Sequence, residues 1–388
     1  MGRKTLIINP GSSSKKYALY EGMQLRAMGK FELSGKVSIV LPSGKEEHTL
    51  SADEYKRAVD FFANTLGFAL NDIETIGIRV VAPGSYFQEN RIFDKGYLKK
   101  LKEAMEIAPL HLSQTLEEYH HIRKNASRVP VIAISDSAFH KTISDHNQLY
   151  SIDYNDAIKY DIKRYGYHGI SIQSVVRQLK NLKLNETDKI IICHLGSGSS
   201  ITALKKLKSI ETSMGFTPLS GVTMATRAGD IDPGLFVYLW KKKRWNSDTA
   251  LNYFNTKCGL QGLTGTTSDM RTILAEAKKN NKKSSMAFNK YIHEIKKMIG
   301  AYVATLGGVD LLIFTGGIGE NSSEVRSAIC TQMGKLGIII NQQLNKFDKH
   351  KIGFINDDTS IVKMIVVPTE EEREMFHQIL NLKKAYEI

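Results

Sequence analysis

The chain has 388 residues, of which 42% are hydrophobic and 24% are charged, and its formal net charge is +13. This composition is typical of a soluble globular protein, and at roughly 100 to 200 residues per domain the length predicts two domains. The basic residues are dispersed, and their densest runs, 241–244 and 278–283, follow amphipathic helical patterns without a DNA-binding motif, so we expect no nucleic-acid partner.

The sequence also disfavours a membrane protein and a disulfide-stabilised secreted protein. The sequence has no run of about 18 apolar residues, and its first apolar run breaks at Pro10, too early for a signal peptide. Three scattered cysteines, Cys193, Cys258 and Cys330, form no CxxC pair. We therefore expect a cytoplasmic protein that contacts no membrane and keeps its cysteines reduced.

Apolar periodicity predicts the secondary structure in chain order. In the first half, strands are predicted over residues 4–9, 17–20, 24–33, 37–41, 76–81 and 131–134, and helices over residues 52–66, 95–108 and 112–124. In the second half, strands are predicted over residues 189–194, 200–204, 310–315 and 361–367, and helices over residues 234–243, 267–280, 284–306, 321–333 and 369–382.

These elements predict an α/β protein with two halves, residues 1–150 and 151–368. No Pro-rich or low-complexity linker separates the halves, so we expect a cleft between them. Each half opens with two strands joined by a Gly/Ser turn, which indicates a duplicated unit.

The first such turn lies in "INPGSSSKKYALY", residues 8–20. Its glycine and serines join two strands instead of opening a helix, so the stretch is not a nucleotide-binding P-loop. Asn9 ends the first strand, and the spacing of Ser12, Ser14 and Lys16 would direct their side chains to one side of an extended arm. The stretch is therefore either a row of phosphate donors or a plain hairpin.

The second turn lies in "IICHLGSGSSITAL", residues 191–204. It matches neither a P-loop nor a dinucleotide fingerprint, because the ending GK[ST] and a following helix are missing. A turn such as Gly196, Ser197 and Gly198 can present backbone N–H groups to an anion, or it can be a flexible hairpin. His194, just before it, can donate to a phosphate oxygen, which favours the anion site.

A third glycine-rich stretch, "LLIFTGGIGENS", residues 311–322, reads as a buried strand, three glycines and a helix that opens near Asn321. The glycines allow close backbone approach, and a helix N-terminus favours negative charge. An ordinary strand-to-helix turn is the alternative. Because α/β proteins bind ligands beyond the carboxyl ends of their strands, we expect a nucleotide contact here.

Charged residues in apolar or glycine-rich surroundings are the next candidates. Arg79 in "GIRVVAPG" and Arg227 in "MATRAGDIDPG" would be costly to bury without an anion to bind. Asp136 directly follows a buried strand, where it would serve either as a catalytic or metal-organising carboxylate or as a helix N-cap. His111 and His168 lie beside apolar residues, as core histidines do, and no His/Cys cluster indicates zinc.

Seven motifs in order along almost the whole chain resemble the acetate kinase family, which includes propionate and butyrate kinases. They are "INPGSSSKKY", "RYGYHG", "HLGSGSSITAL", "ETSMGFTPLSG", "TRAGDIDPG", "FTGGIGEN" and "PTEEE". The resemblance implies the fold shared by acetate and sugar kinases, Hsp70 and actin, with two duplicated RNase H-like domains of mixed sheets flanked by helices and a central cleft. It also implies a homodimer, use of ATP and ADP instead of pyrophosphate, and Mg²⁺ or Mn²⁺ as cofactor. By the same resemblance, the final helix, about 369–388, is expected to pack back on the first half.

The resemblance also assigns roles position by position. Arg79 and Arg227 would grip the substrate carboxylate and the transferring phosphoryl group, His168 would stabilise the equatorial oxygens, and Asp136 would align substrate and metal. The remaining positions would organise the metal (Asn9, Glu371), line the phosphoryl path (Ser12, Ser14, Lys16, His111, His194), match the adenosine side (Asp269, Arg271, Gly317, Ile318) and form the acyl pocket (Val81, Leu110, Tyr167, Pro218), with His111 also in the pocket.

The implied reaction is reversible phosphorylation of a short-chain carboxylate, acetate foremost, to an acyl phosphate. A carboxylate is already ionised at neutral pH and needs no general base, but its approach to an anionic phosphate needs cations, N–H donors and a metal ion. A kinase for propionate or another small acid is one alternative. A catalytically impaired nucleotide-binding regulator is another, which the intact charged positions argue against.

Several positions depart from the family pattern: Ile78, Ala82, Pro83, the segment "PLHLSQT", Ile172, Ser197 and Met270. Tyr167 stands where acetate kinases usually have phenylalanine. A buried tyrosine hydroxyl needs a partner or costs about 1 to 3 kcal/mol. A polar substrate tail would provide one, so we hypothesise that the enzyme accepts an acid other than, or in addition to, acetate; alternatively, the hydroxyl points to water.

Overall fold

The structure is a computed structural model that describes residues 3–11, 14–184, 187–346 and 352–386. The chain divides into two compact units. The first consists of two segments, the chain up to Ala138 and the chain from Glu370 onward, and the second is Phe139–Thr369. The domain limits predicted from the sequence stay a prediction. No helix in the described ranges is both long and apolar enough to cross a bilayer.

The strands are β1 (Lys4–Pro10), β2 (Ser14–Glu21), β3 (Gln24–Glu32), β4 (Lys36–Leu41), β5 (Gly44–Thr49), β6 (Thr75–Val80), β7 (Arg91–Ile92), β8 (Val131–Ser135), β9 (Lys189–Leu195), β10 (Ser199–Lys205), β11 (Lys208–Thr212), β12 (Leu311–Thr315), β13 (Gly353–Phe354) and β14 (Lys363–Val366). The helices are α1 (Ala52–Lys56), α2 (Ala58–Thr65), α3 (Lys95–Ala104), α4 (Pro109–Asn125), α5 (Asp145–Gln148), α6 (Tyr154–Lys159), α7 (Gly169–Asn181), α8 (Pro233–Lys243), α9 (Ser247–Thr256), α10 (Gly259–Thr264), α11 (Met270–Lys278), α12 (Lys282–Leu306), α13 (Gly316–Asn321), α14 (Ser323–Cys330) and α15 (Glu371–Tyr386).

The sheet of the first unit has the order β5-β4-β3-β2-β1-β6-β8-β7 among the described residues. Strands β1, β6 and β8 are parallel, so their carboxyl ends share one edge. Strand β2 runs antiparallel to β1 and places Lys16 opposite Asn9. Helix α15 packs on this sheet at Gly77, where any Cβ would overlap the Ile379 side chain. The carboxyl ends of these strands and the start of α15 thus lie close together, at positions where polar residues follow apolar runs.

The sheet of the second unit repeats this arrangement, with the order β11-β10-β9-β12-β14-β13 in the described part of the chain. Strand β9 pairs antiparallel with β10 and parallel with β12, which pairs parallel with β14. Apolar clusters cover both faces: Cys193 belongs to one that includes α12, and Ile192 to one that includes α7. Burial on both faces explains why these strands are continuous apolar runs. The predicted fold, duplicated α/β units with mixed sheets flanked by helices, is confirmed.

Two helix predictions were wrong in detail. The helix predicted over residues 52–66 is two helices, because Arg57 leaves helical geometry at φ −105° and ψ 31°. The helix predicted over residues 321–333 begins earlier, at Gly316, and breaks at Ser322, whose extended backbone and side chain cap α14 by accepting from the N–H of Val325. The glycines expected to form a turn therefore form α13 itself.

Candidate active site

Polar side chains meet at the carboxyl ends of β1, β6 and β8 in the first unit. Arg79, near the end of β6, donates through Nη2 to Oδ2 of Asp136 at 3.0 Å and through Nη1 to Oδ1 of Asn9 at 3.2 Å. Asp136 is 1% exposed and Arg79 13%. The parallel register explains this meeting, because each residue lies at or just beyond a strand end on one edge. The carboxylate holds a half-buried guanidinium in a fixed orientation.

Asn9 extends this cluster to the start of α15. Its Nδ2 donates to Oε2 of Glu371 at 2.9 Å and to Oε1 of Glu372 at 2.7 Å. Lys16 Nζ lies 3.4 Å from Glu372 and 3.9 Å from Glu371. The carboxylate of Glu372, and to a lesser extent that of Glu371, raises the pKa of Lys16 despite its burial. We call these six residues, Asn9, Lys16, Arg79, Asp136, Glu371 and Glu372, the carboxyl-edge cluster.

Glu372 is a member of this cluster that the sequence did not indicate, since the resemblance gave the metal role to Asn9 and Glu371. It is as buried as Glu371 and binds both Asn9 and Lys16. The only sequence signal was its place in the run "PTEEE". Ser14 begins β2 in the described range, whereas Ser12 lies outside the described residues. The side chains of Leu110 and His111 likewise lie outside them, although both residues belong to α4.

A pair of histidines forms the centre of the second cluster, in the other unit. His168 precedes α7 in a left-handed conformation with φ 62°, uncommon for a residue other than glycine. Its Nδ1 lies 2.9 Å from the hydroxyl of Ser200, and Nδ1 of His194 lies 2.7 Å from the hydroxyl of Ser171. The ring centroids of the two histidines are 4.1 Å apart. Both imidazoles are therefore fixed by buried serines.

The glycine turn between β9 and β10 lies against these histidines. The N–H of Gly196 donates to the carbonyl of Gly198 at 3.0 Å. A Cβ added to Gly198 would lie 3.0 Å from Nε2 of His168 and 3.2 Å from Nη2 of Arg227. Ser197 accepts at its carbonyl from the N–H of Ala225, two residues before Arg227. Imidazole, guanidinium and backbone thus converge at this turn, which we call the glycine-turn cluster.

Arg227 is 9% exposed, and its Nη1 donates to the carbonyl of buried Pro218 at 2.9 Å. The Tyr167 hydroxyl donates to the carbonyl of Phe216 at 2.7 Å. Tyr167 is thereby hydrogen-bonded to the segment that contains Pro218, another residue of the predicted acyl pocket, which follows Phe216 by two positions. The hydroxyl has a backbone partner, so it neither points to water nor requires a polar substrate to satisfy it. Val81, the remaining pocket residue with a described side chain, is buried in the first unit.

The predicted adenosine contacts lie in two local groups of the second unit. Asp269 caps α11 and binds Arg271, whose side chain is 91% exposed, and hydrogen bonds from Arg271 hold the pKa of Asp269 below its usual value. Gly317 and Ile318 lie in α13, where Asn321 Nδ2 donates to the Gly317 carbonyl at 2.9 Å.

Helix α13 connects to the glycine turn through β12. Thr315 pairs with His194 in register, and a Cβ on Gly196 would lie 3.8 Å from the N–H nitrogen of Gly317. Gly316 needs to be glycine because its φ is 78° and a Cβ would lie 2.8 Å from the Leu195 carbonyl oxygen. The two glycine-rich segments are therefore neighbours, and both lie beside His194.

Comparisons with known proteins agree with this arrangement. The family model described as the acetokinase family matches residues 4–377. The acetate kinase of Bacteroides thetaiotaomicron is 37% identical, and the alignment covers 98% of this chain and 100% of that protein. Among solved structures, the acetate kinase of Porphyromonas gingivalis is 33% identical with a TM-score of 0.84, over 98% of this chain and 99% of that one. The propionate kinase of Francisella tularensis is 32% identical with a TM-score of 0.86, over 97% and 98%. Because the match runs through both units and both clusters, this chain belongs to the acetokinase family.

Proposed function

We propose that this chain phosphorylates a short-chain carboxylate, acetate foremost, with ATP, and that it catalyses the reverse reaction from acyl phosphate and ADP. In the forward direction a carboxylate oxygen attacks the γ-phosphorus, and the bond to the oxygen bridging the β-phosphate breaks as ADP leaves. The observation that carries this proposal is membership of the acetokinase family over residues 4–377. Relatives named acetate kinase are matched along nearly their full length.

The carboxyl-edge cluster suits the substrate side of this reaction. Arg79 offers a fixed cation to a carboxylate or phosphoryl oxygen, and Asp136 restrains its geometry at 3.0 Å. Such a cation stabilises the charge that develops when two anions approach one another. Lys16, with its raised pKa, stays charged at neutral pH and adds a second cation.

The glycine-turn cluster suits the phosphate side. His168 and Arg227 converge at Gly198, where they would contact the oxygens of the transferring group. The glycine turn and α13 would hold the phosphates of ATP, with Gly196, Ser197, Gly198, Gly317, Ile318 and Asn321 on this side. Asp269 and Arg271 would lie on the adenosine side.

The donor set of the carboxyl-edge cluster fits Mg²⁺ or Mn²⁺. Glu371 and Glu372 present carboxylate oxygens within hydrogen-bonding distance of Asn9, and hard oxygen donors are what Mg²⁺ binds. The described residues hold no group of three or more His, Cys, Asp or Glu side chains that would cage a metal. Asn9 and the two glutamates would therefore hold the ion together with water and phosphate oxygens. When bound, it would neutralise phosphate charge.

Propionate is a second candidate substrate, since the structure of the propionate kinase of Francisella tularensis is as similar to this chain as that of the acetate kinase of Porphyromonas gingivalis. The buried hydroxyl of Tyr167 does not favour a hydroxy acid, because it already donates to Phe216. A homodimeric state and a cytoplasmic location stay predictions.

Trapping of the acyl phosphate with hydroxylamine tests the proposal. The purified chain is incubated with ATP, Mg²⁺ and acetate, propionate, butyrate or lactate, and hydroxamate is measured by its ferric colour. Hydroxamate with acetate, and less with the longer acids, is expected. No hydroxamate with any acid, together with measurable ADP binding by calorimetry, would point to a nucleotide-binding regulator instead.

A further inference from the structure

Three hydroxyl and imidazole groups form a line in the second unit. Thr369 Oγ1 donates to Oγ of Ser171 at 3.0 Å, and Ser171 Oγ lies 2.7 Å from Nδ1 of His194. Ser171 is fully buried on α7, and His194 is 8% exposed near the end of β9. The alternation of β9 directs His194 to the face that α7 covers, because residues 190 and 192 pack on that face as well.

The direction of the first hydrogen bond determines the direction of the second. Ser171 accepts from Thr369, so its own proton needs an acceptor. Within the described residues, the partner of the Ser171 hydroxyl besides Thr369 is Nδ1 of His194. A fully buried hydroxyl without an acceptor would be unfavourable. Ser171 therefore donates to Nδ1, and a neutral imidazole that accepts at Nδ1 carries its proton on Nε2.

The protonated Nε2 lies beside the glycine turn. A Cβ added to Gly196 would lie 3.8 Å from Nε2 of His194. Thr369 is itself held at this place, because its N–H and the N–H of Gly316 both donate to Oε1 of Glu320, at 3.0 and 2.9 Å. Glu320 thus connects Thr369 to the start of α13, which lies beside the glycine turn.

We infer that Ser171, supported by Thr369, is a positioning residue that holds His194 as the Nε2–H tautomer, so that His194 donates a hydrogen bond to a phosphate oxygen at the glycine turn. This inference rests on the proposed function for the identity of the anion. The tautomer itself follows from the hydrogen bonds alone. A histidine locked in the other tautomer would present a lone pair to an anion and repel it.

Nitrogen-15 NMR of the full chain labelled at histidine tests the tautomer directly, since protonated and unprotonated ring nitrogens have well separated shifts. The spectrum of His194→Gln identifies the His194 signals. In the wild type we expect a protonated Nε2 and an unprotonated Nδ1. In Ser171→Ala we expect a mixture of tautomers and a kcat reduced about 10-fold to 100-fold, as for partners that orient a functional imidazole elsewhere. The KM for ATP should change less than kcat.

A double-mutant cycle separates positioning from a structural effect. Glutamine at position 194 offers an N–H donor without a tautomer to select, so Ser171→Ala should cost little further activity in the His194→Gln background. The matched control is Ser174→Ala, which removes a buried hydroxyl from the same helix; that hydroxyl donates to the Ser171 carbonyl instead of an imidazole. Its effect on kcat should stay within about twofold.

A wild-type His194 protonated at Nδ1 would overturn the inference, and so would an equal loss of kcat from Ser171→Ala in both backgrounds. Unfolding of each variant is followed by urea titration, so that a misfolded variant is recognised. If the wild type forms no acyl phosphate from any acid, the proposed function fails while the NMR result still decides the tautomer. If the wild type is active and the tautomer does not change in Ser171→Ala, the inference alone fails.

Discussion

Lys15 and Glu118 form an ion pair inside the first unit, with 2.7 Å between Nζ and Oε1 and each side chain only 2% exposed. Lys15 also donates to the carbonyl of Tyr55, and the hydroxyl of Tyr17 donates to the same Glu118 oxygen at 3.0 Å. Lys15 lies on β2 next to Lys16, whose side chain belongs to the carboxyl-edge cluster. The alternation of the strand sends the two adjacent lysines to opposite faces.

Glu118→Ala is predicted to lower the free energy of unfolding by about 3 to 5 kcal/mol, because it leaves the ammonium of Lys15 buried without its carboxylate. Urea unfolding followed by circular dichroism measures the loss. Glu117→Ala is the matched control, since Glu117 is the exposed neighbour on the same helix and should change stability by less than about 0.5 kcal/mol. Equal effects of the two variants would show that the buried pair does not stabilise the unit.

Asn9→Ala is predicted to lower kcat about 10-fold or more while the Kd for ADP changes by less than about threefold. Asn9 joins Arg79 to both glutamates of the carboxyl-edge cluster, so its loss frees those charged groups to reorient. The Mg²⁺ concentration for half-maximal activity should rise as well. Steady-state kinetics and calorimetry measure these quantities, with the exposed Asn64→Ala as the control. An unchanged kcat would show that the segment around residue 9 is a plain hairpin without a role in catalysis.

The strand pattern made much of the first cluster predictable. Asn9, Arg79 and Asp136 each stand where an apolar run gives way to polar residues, and parallel strands bring such ends together. The contact between Asn9 and Glu371, however, joins residues more than 350 positions apart and requires α15 to pack against the sheet of the first unit. The family resemblance suggested that return, and apolar periodicity did not.

Other features were not predictable because tertiary packing decided them. Glycine disfavours helices, yet Gly316, Gly317 and Gly319 lie in α13, where close approach to Leu195 excludes a side chain at Gly316. The hydrogen bond of Tyr167 to Phe216 joins residues 49 apart that share no pattern. In the sequence, Ser171 is an ordinary position on an amphipathic helix. Its contact with His194 depends on how α7 packs against β9.

Asp136→Asn is predicted to lower kcat/KM for acetate about 100-fold, because the guanidinium of Arg79 loses the charged acceptor that holds it at 3.0 Å. Kinetics with acetate varied and ATP saturating measure the change. Asp60→Asn is the control: it removes a partly exposed carboxylate of the same unit, which binds His121 and does not belong to the carboxyl-edge cluster. A loss confined to KM for ATP would contradict the assignment of this pair to the carboxylate.

Tyr167→Phe is predicted to leave the order of preference among acids unchanged, since the hydroxyl donates to the Phe216 carbonyl and is satisfied without substrate. The variant should lose about 1 kcal/mol of stability through the missing hydrogen bond. The hydroxyl of Tyr150 accepts from the N–H of the same Phe216 at 2.8 Å, so Tyr150→Phe is the matched control. A shift of preference toward acetate in Tyr167→Phe alone would revive the hypothesis of a polar substrate.

Glu211→Gln is predicted to stabilise the protein at neutral pH and to have no such effect near pH 4. Burial raises the pKa of Glu211, and the charge of Arg164, a backbone hydrogen bond at Thr212 and the charge of His146 oppose this rise without cancelling it. The folded state therefore binds this proton more tightly than the unfolded state, and unfolding free energy falls as the pH rises from about 4.5 through the raised pKa. Above that pH range the ionised carboxylate of Glu211 lowers the free energy of unfolding by its full amount, and the uncharged glutamine removes this destabilisation.

Urea unfolding of Glu211→Gln and the wild type from pH 4 to pH 8 measures this difference. The gain in the free energy of unfolding should grow with pH and then level off. Glu47→Gln is the control, because Glu47 is exposed and its pKa is lowered by a hydrogen bond from Lys45, so its substitution should give no stabilisation that grows with pH. If Glu211→Gln is less stable than the wild type at pH 8 by more than at pH 4, the 3.6 Å contact with Arg164 outweighs burial and the predicted sign is wrong.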